Sequence, residues 1–412
     1  MRTPVSRRIV WGVAVVVFFE TAAARSAKPD DGLRGPWVRH TIDDSSRGAD
    51  GVRLADFNGD GRMDIVTGWE EGGVVRLCLN PGPGKARERW PAVTVGKAAS
   101  PEDAVPVDLD GDGSIDVVSC CEGKTQSVFV HWAPKERSRQ LDARAWQTQA
   151  IPATVKRTRW MFALPIEIDG RNGIDLIVGS KDPRAMIGWL ESPGNPRDLA
   201  AWKLHPLCET AWIMSLVAAD LDGDGDQDIL ASDRKGSRSR VLWLENPGPA
   251  LATGPWKEHV IGAEGEEVMF LDLADLDGDG RRDAIIAAKP RKIICLFQPA
   301  KATARWESHV IEVPDRFGTS KAVRVADVNL DGRLDLVVTC EAAKGPLSGV
   351  FWLSYRGSVM DAQWDAHDIG GPEGAKYDLM ELIDLDGDGD LDVLTCEESD
   401  NLGVIWYENP RK

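Results

Sequence analysis

The sequence predicts an all-β chain built from seven like units, and three observations predict it. An Asp-rich nonapeptide begins at Asp56, Asp108, Glu167, Asp220, Asp275, Asp327 and Asp384, at intervals of 52, 59, 53, 55, 52 and 57 residues. A Trp-led segment precedes each copy, at Trp37, Trp90, Trp146, Trp202, Trp256, Trp306 and Trp364. Each nonapeptide runs into a short apolar segment such as Asp335-Leu336-Val337-Val338, with no helical periodicity.

Taken in order, each unit offers four short strands separated by turn residues. Five of the Trp-led strands read Trp-x-x-His, with His40, His205, His259, His309 and His367. These histidines are spread around the repeat, so they do not form one metal centre and read as structural. His131 lies outside that register. A later strand often ends in a phrase such as Trp243 to Pro247 or Trp406 to Pro410. Four strands make one propeller blade, and a radial array hides most sheet edges. Residues 37–412 therefore predict a seven-bladed β-propeller. The chain opens with a lone strand at Trp37 to Ile42 and ends after the third strand of the seventh unit. The N-terminal strand is expected to complete the last blade and close the ring.

A chain of 412 residues exceeds one compact domain unless it is such an array. Its 42% hydrophobic and 28% charged composition is that of an ordered globular protein. The net charge of -17 argues against nucleic acid and anionic lipid as partners. Arg2, Arg7 and Arg8 precede the apolar run Ile9 to Phe19, which is too short to span a bilayer, and Ala22, Ala23 and Ala24 follow. Residues 1–24 read as an export signal, by the general or the twin-arginine route. Residues 25–36 read as a short flexible segment. No later stretch reads as transmembrane. The mature protein is expected in the periplasm, on the cell surface or outside the cell. The seven cysteines are scattered, without a CxxC pair, and most read as buried thiols.

The nonapeptides carry metal-ligand chemistry. Four read Asp-x-Asp-Gly-Asp-Gly-x-x-Asp: Asp108/Asp110/Asp112/Asp116, Asp220/Asp222/Asp224/Asp228, Asp275/Asp277/Asp279/Asp283 and Asp384/Asp386/Asp388/Asp392. Alternate carboxylates on a tight loop converge on one point, and hard oxygen donors in this number suit Ca²⁺. Asp56/Asn58/Asp60/Asp64 and Asp327/Asn329/Asp331/Asp335 each substitute one amide, and the latter has Leu330 where glycine is usual. Up to six calcium sites are expected. The third copy reads Glu167, Asp169, Arg171 and Asp175. Blade three is expected to hold no calcium, with Arg171 replacing it in an internal salt bridge.

On these phased loops the mature chain resembles the FG-GAP or VCBS-type repeat proteins, whose blades are like those of the integrin α-subunit propeller. The resemblance implies a seven-bladed propeller with calcium between the first two strands of each blade. It implies little about activity. The chain is also similar to the propeller module of pyranosone dehydratase, a sugar β-eliminating enzyme, a resemblance that carries no catalytic residue over to this chain.

The repeat also locates a rim opposite the loops. Six residues beyond the ninth loop position stand Glu70, Glu122, Lys181, Arg234, Lys289, Glu341 and Glu398, all charged, with the bases confined to blades three to five. Six residues before each loop stand Asp50, Glu102, Met161, Met214, Met269, Lys321 and Asp378, with Asp103, Arg159, Glu267 and Lys376 nearby. Trp69, Trp160 and Trp212 fall at the same level. Aromatic faces beside paired charges suit a sugar. The expected function is binding of a glycan or protein ligand at this rim. The alternative is a carbohydrate lyase or dehydratase. There Glu122 or Lys181 is the base, and Arg234, Lys289 or a second metal stabilises an enolate. GxSxG and HExxH motifs are absent, and Gly59 and Gly61 belong to an Asp loop rather than a nucleotide motif.

Overall fold

A computed structural model describes residues 35–411. The export signal expected over 1–24, and most of the segment 25–36, lie outside the described residues. From β1 (Val38–Asp43) to β28 (Gly403–Glu408) the described chain folds as 28 strands in seven four-stranded antiparallel sheets. Blade one shows the plan: β2 (Ala49–Ala55), β3 (Asp64–Trp69), β4 (Val74–Cys78) and β5 (Ala92–Lys97) pair in sequence order from the axis outward. The innermost strands of the other blades are β6 (Pro101–Val107), β10 (Arg159–Ile166), β14 (Ile213–Ala219), β18 (Val268–Ala274), β22 (Thr319–Ala326) and β26 (Tyr377–Ile383). Each packs against the next, and β26 packs back against β2, so the blades form a ring.

Burial explains the strand sequences. Second strands such as Asp64–Trp69 and Asp283–Ala288 are buried at every residue, because neighbouring blades cover both faces. They therefore read as continuous apolar runs rather than alternating ones. Outermost strands such as Lys257–Gly262 are largely exposed and carry the charges. β1 pairs with β28, with His40 opposite Trp406, and occupies the outer position of blade seven.

The Trp and His registers are packing devices. Trp90, Trp256 and Trp306 donate their indole N–H groups to the carbonyls of Ala86, Ala252 and Ala302 at 2.9–3.1 Å. His40, His205, His259 and His367 lie against Trp406, Trp189, Trp243 and Trp352 with ring centroids 3.9–4.9 Å apart. The first three also pair with Glu408, Glu191 and Glu245. His309 stands opposite Cys295 and bonds the Asp361 carbonyl. All seven cysteines are free and only Cys208 is not buried. No helix among the described residues is long and apolar enough to cross a membrane.

Candidate functional site

The turn from first to second strand places every Asp loop at one end of the ring. In blade one, Asp56 accepts the amides of Gly59 and Gly61 at 2.7 and 2.9 Å. Gly59 and Gly61 take positive φ of 73° and 84°, which an L side chain resists. Leu330, in the glycine position of blade six, adopts φ 57° and keeps the loop conformation.

The ninth-position aspartate has a role that spacing did not reveal. Its Oδ2 accepts the amide of the second loop residue, and its Oδ1 the amide just beyond the third strand. Asp64 takes these from Phe57 and Asn80, Asp175 from Ile168 and Ser192, and Asp392 from Leu385 and Asn409. It is a latch between loop and blade as well as a carboxylate facing the loop.

The loops fit a hard divalent cation. Three carboxylates lie with one oxygen each within 4.8 Å of one another in Asp108/Asp110/Asp116 and in Asp220/Asp222/Asp228. Asp108 Oδ1 and Asp275 Oδ1 are buried without a hydrogen-bond partner, as ligand atoms awaiting an ion would be. In blade three Glu167, Asp169 and Asp175 converge in the same way. Arg171 makes the expected salt bridge only at its limit, its Nε 3.9 Å from Asp169 and its side chain 65% exposed, so the guanidinium lies beside the carboxylate cluster and not within it.

The middle loop positions differ from the outer ones in what their oxygens already accept. In blade two the converging trio leaves out Asp112. Its Oδ1 accepts the Ser114 amide at 3.0 Å, and its Oδ2 stands 3.7 Å from both Lys135 and Arg197. Asn58, Asp277 and Asn329, expected as ligands on spacing, each turn an oxygen back onto their own loop. Asn58 Oδ1 accepts the Asp60 amide at 2.8 Å, while its side-chain nitrogen donates to the Asp60 carboxylate at 3.0 Å. Asn329 Oδ1 accepts the Asp331 amide at 2.9 Å, and Asp277 Oδ1 the Asp279 amide at 3.1 Å. The cause is local: a short Asp or Asn side chain reaches the backbone two residues on and closes a turn. Asp277 still has its second oxygen to offer an ion. Asn58 and Asn329 have one oxygen each, already engaged, so they are poorer ligands than the aspartates they replace.

At the opposite end the axial channel opens into a chamber of about 260 Å³. Asp50, Glu70, Glu122, Lys181, Arg234, Glu341, Lys321, Lys376, Asp378 and Trp212 line it, joined by Glu102. Met161, Phe162, Met214 and Phe270, from blades three to five, supply apolar wall. Phe162, Met214 and Phe270 also bound a second cavity below, where Arg53 pairs with Asp103 at 3.0 Å and Arg324 with Glu381 at 3.4 Å. Larger open grooves, of about 660 and 700 Å³, lie at Arg184–Cys208–Arg238 and at Asp220–Arg281. Neither brings together as many opposed charges as the chamber does.

Charges in the chamber are paired across blades. Lys181 contacts Glu122 and stands 3.3 Å from Glu102, and one oxygen of each of Glu70, Glu102 and Glu122 lies within 4.8 Å of the others. Lys321 is ion-paired to Asp378, and Asp50 interacts with both. Burial drives Glu102 up to about 8, helped by Glu122 and Glu70 and opposed by Lys181. Burial also lifts Asp50 well above the carboxylate range, with Asp378 and Glu102 adding to the rise. Burial pushes on Asp378 too, but Lys321 and hydrogen bonds from Asp50 and the Leu379 amide together outweigh it and hold that carboxyl low. One pair of carboxyls is thus split into a proton holder and an anion.

Other expected rim residues fall into three groups. Lys289, Glu398 and Glu267 stand just behind the chamber, paired to Glu341, Lys376 and Arg234. Asp103 is buried and pairs with Arg53, which lines the lower cavity, and Arg159 is exposed. Trp69 and Trp160 are completely buried among the blades, so neither offers a face to a ligand. Trp212 does line the chamber, with Lys181 and Arg234 4.4 and 4.5 Å from its ring centroid.

A ring of four-stranded blades with Asp loops at one end defines the class, and comparison with known proteins agrees. The chain is a β-propeller with FG-GAP-like repeats, matching the model of that repeat at residues 56–119, 168–231 and 275–338. Each match spans two successive Asp loops. The chain is 23% identical over 325 residues to aldos-2-ulose dehydratase of Phanerodontia chrysosporium, covering 58% of this chain and 36% of that enzyme. It thus spans about a third of the curated relative. The BBS1N component solved in complex with ARL6DN is similar in fold, with TM-score 0.54 and 13% identity over 92% of this chain and 99% of that one. An Agrocybe aegerita lectin specific for non-reducing terminal N-acetylglucosamine gives TM-score 0.45 at 14% identity, over 79% of this chain and 81% of that one. Likeness at such identities speaks to fold and not to ligand.

Proposed function

We propose that this protein is an exported, calcium-bearing propeller that binds a single sugar unit, free or at a chain end, in the chamber opposite the Asp loops. The observation that carries the reading is the convergence of ten ionisable side chains and one indole on a chamber of about 260 Å³. Pockets for drug-sized ligands run from about 300 to 1,000 Å³, so this volume selects something smaller and disfavours a protein ligand. Opposed carboxylates and cations suit a ring of hydroxyls, each of which donates and accepts. The test is ligand-observed NMR of the calcium-loaded protein with a panel of neutral, acidic and keto monosaccharides. Binding should appear for at least one sugar and be lost in Arg234→Ala. A silent panel with folded protein contradicts the reading.

The Glu102–Lys181–Glu122 cluster, in which burial favours a proton on Glu102 while Glu122 is ion-paired to Lys181, favours a second reading, in which the bound sugar is dehydrated. The name of the dehydratase relative points the same way. Glu122, kept beside Lys181, takes the proton next to a carbonyl. Glu102 gives its proton to the departing β-hydroxyl, which leaves as water, and a carbon–carbon double bond forms. Mass spectrometry of the same panel should then show a product lighter by one water, absent with Glu122→Gln. Binding without any such product leaves the first reading standing and removes the second.

A further inference from the structure

Position seven of the Asp loop sorts the blades. Arg62, Arg281 and Arg333 stand there in blades one, five and six. Each is ion-paired to the carboxylate at position five of its own loop, Asp60, Asp279 or Asp331. Blades two and three carry Ser114 and Gly173. Blades four and seven carry Asp226 and Asp390, a fifth carboxylate in loops that already hold four.

These two carboxylates lack what their surroundings demand. Asp390 is 3% exposed, and neither of its oxygens has a hydrogen-bond donor. Asp226 is half-buried, with one enclosed oxygen, Oδ1, that also has none. The charges acting on Asp390 are those of Asp388, Asp392 and Asp386, and those on Asp226 are Asp224, Asp222 and Asp220. A buried anion surrounded by anions is stable only with a counter-charge. In blades one, five and six the arginine supplies it from within the loop. In blades four and seven no side chain at that position can, and the arginine that reaches the blade-seven loop, Arg87, pairs with Asp386 and not with Asp390.

We propose that the loops of blades four and seven form a tighter class of divalent-cation site, in which Asp226 and Asp390 add a fifth carboxylate. In blades one, five and six the arginine competes with the ion for the position-five carboxylate, so those loops bind more weakly. Ca²⁺ fits the tight class better than Mg²⁺, because it accepts six to eight oxygens in flexible geometry. The inference rests on the reading of these loops as calcium sites.

The test is native mass spectrometry of the full chain, stripped with chelator and titrated with calcium, alongside thermal melting with and without the ion. Two ions should bind first. Asp226→Asn and Asp390→Asn should each move one ion out of that early class, with affinity at that loop falling about tenfold or more, since charge count tunes such sites. Arg281→Ser should move one weaker ion toward it. In chelator, Asp390→Asn should melt no lower than the parent, because a repelling charge has gone. If the parent binds no calcium, the loop reading itself fails and this inference with it. If calcium binds but the early class is unchanged in both Asn variants, only the inference fails. A lower melting point in chelator with both early ions retained makes Asp390 a structural residue and also overturns it.

Discussion

Glu102 shows how a single carboxyl can report on the whole chamber. Its side chain is nearly enclosed, and burial moves it from its ordinary 4.5 to about 8. Between those values the folded protein holds a proton that the unfolded chain has released. Stability from this group is therefore greatest at the acid end and declines as pH rises through that window. With calcium saturating, to keep the loop carboxylates from titrating, denaturant unfolding should show this decline in the parent. Glu102→Gln, always neutral, should make it shallower, leaving the part that Asp50 contributes, and an unchanged slope would show that Glu102 holds no proton in this window. Glu102 was legible as a member of the register six residues before each loop. Its partners were not, since which carboxyl faces Lys181 depends on the blade next door. Trp69 and Trp160 show the same limit. Their sequence register places them at the right level, but each is enclosed by neighbouring blades.

The loop and its latch make one element, and Asp175 is the place to separate latch from ligand. It is fully buried and accepts amides from Ile168 and Ser192 at 3.2 and 2.7 Å. Asp175→Asn turns one acceptor into a donor facing an N–H group. In excess chelator, where no ion contributes, this should lower unfolding free energy by about 1–3 kcal/mol. A loss seen only with calcium would make the residue a ligand and nothing more. Most of the element was readable, because a loop of alternating carboxylates needs Asp and Gly at set places. Which oxygens stay free was not readable: Asn58 and Asn329 spend theirs on the turn itself. The latch was hidden because its second partner lies about 17 residues away, beyond the next hairpin. How loosely Arg171 pairs was not readable either: its charge matches the cluster, but a long side chain at a loop tip keeps its head in solvent and only grazes the buried Asp169.

The repeat makes the whole molecule readable, since equivalent positions in seven blades point to equivalent places around one axis. The phase of the repeat also marks a seam, where β1 pairs with β28. Arg87 of blade one reaches Asp386 and Glu408 of blade seven across the same seam. Removing the chain through Asp43 would uncover the edge of β28 and the packing of Ile42, whose burial alone is worth about 1.5–3 kcal/mol. Such a truncation should melt lower and self-associate on size exclusion, as exposed strand edges do. A monomer of unchanged melting temperature would show that the ring does not depend on this strand.

Charge segregation belongs to this scale as well. Bulky apolar residues from blades three to five fill one side of the channel, while Lys321, Asp378, Asp50 and Glu102 from blades six, seven, one and two face it. The chamber is thus lopsided, with an apolar wall and a proton-handling wall, as a sugar with an apolar and a hydroxylated face requires. The most direct test is a crystal structure of the calcium-loaded protein soaked with the tightest-binding monosaccharide. The account predicts sugar density inside the chamber, with hydroxyls on Glu102, Glu122 and Arg234. An empty chamber with the sugar seated in the grooves at Cys208 or at the Asp loops would contradict it.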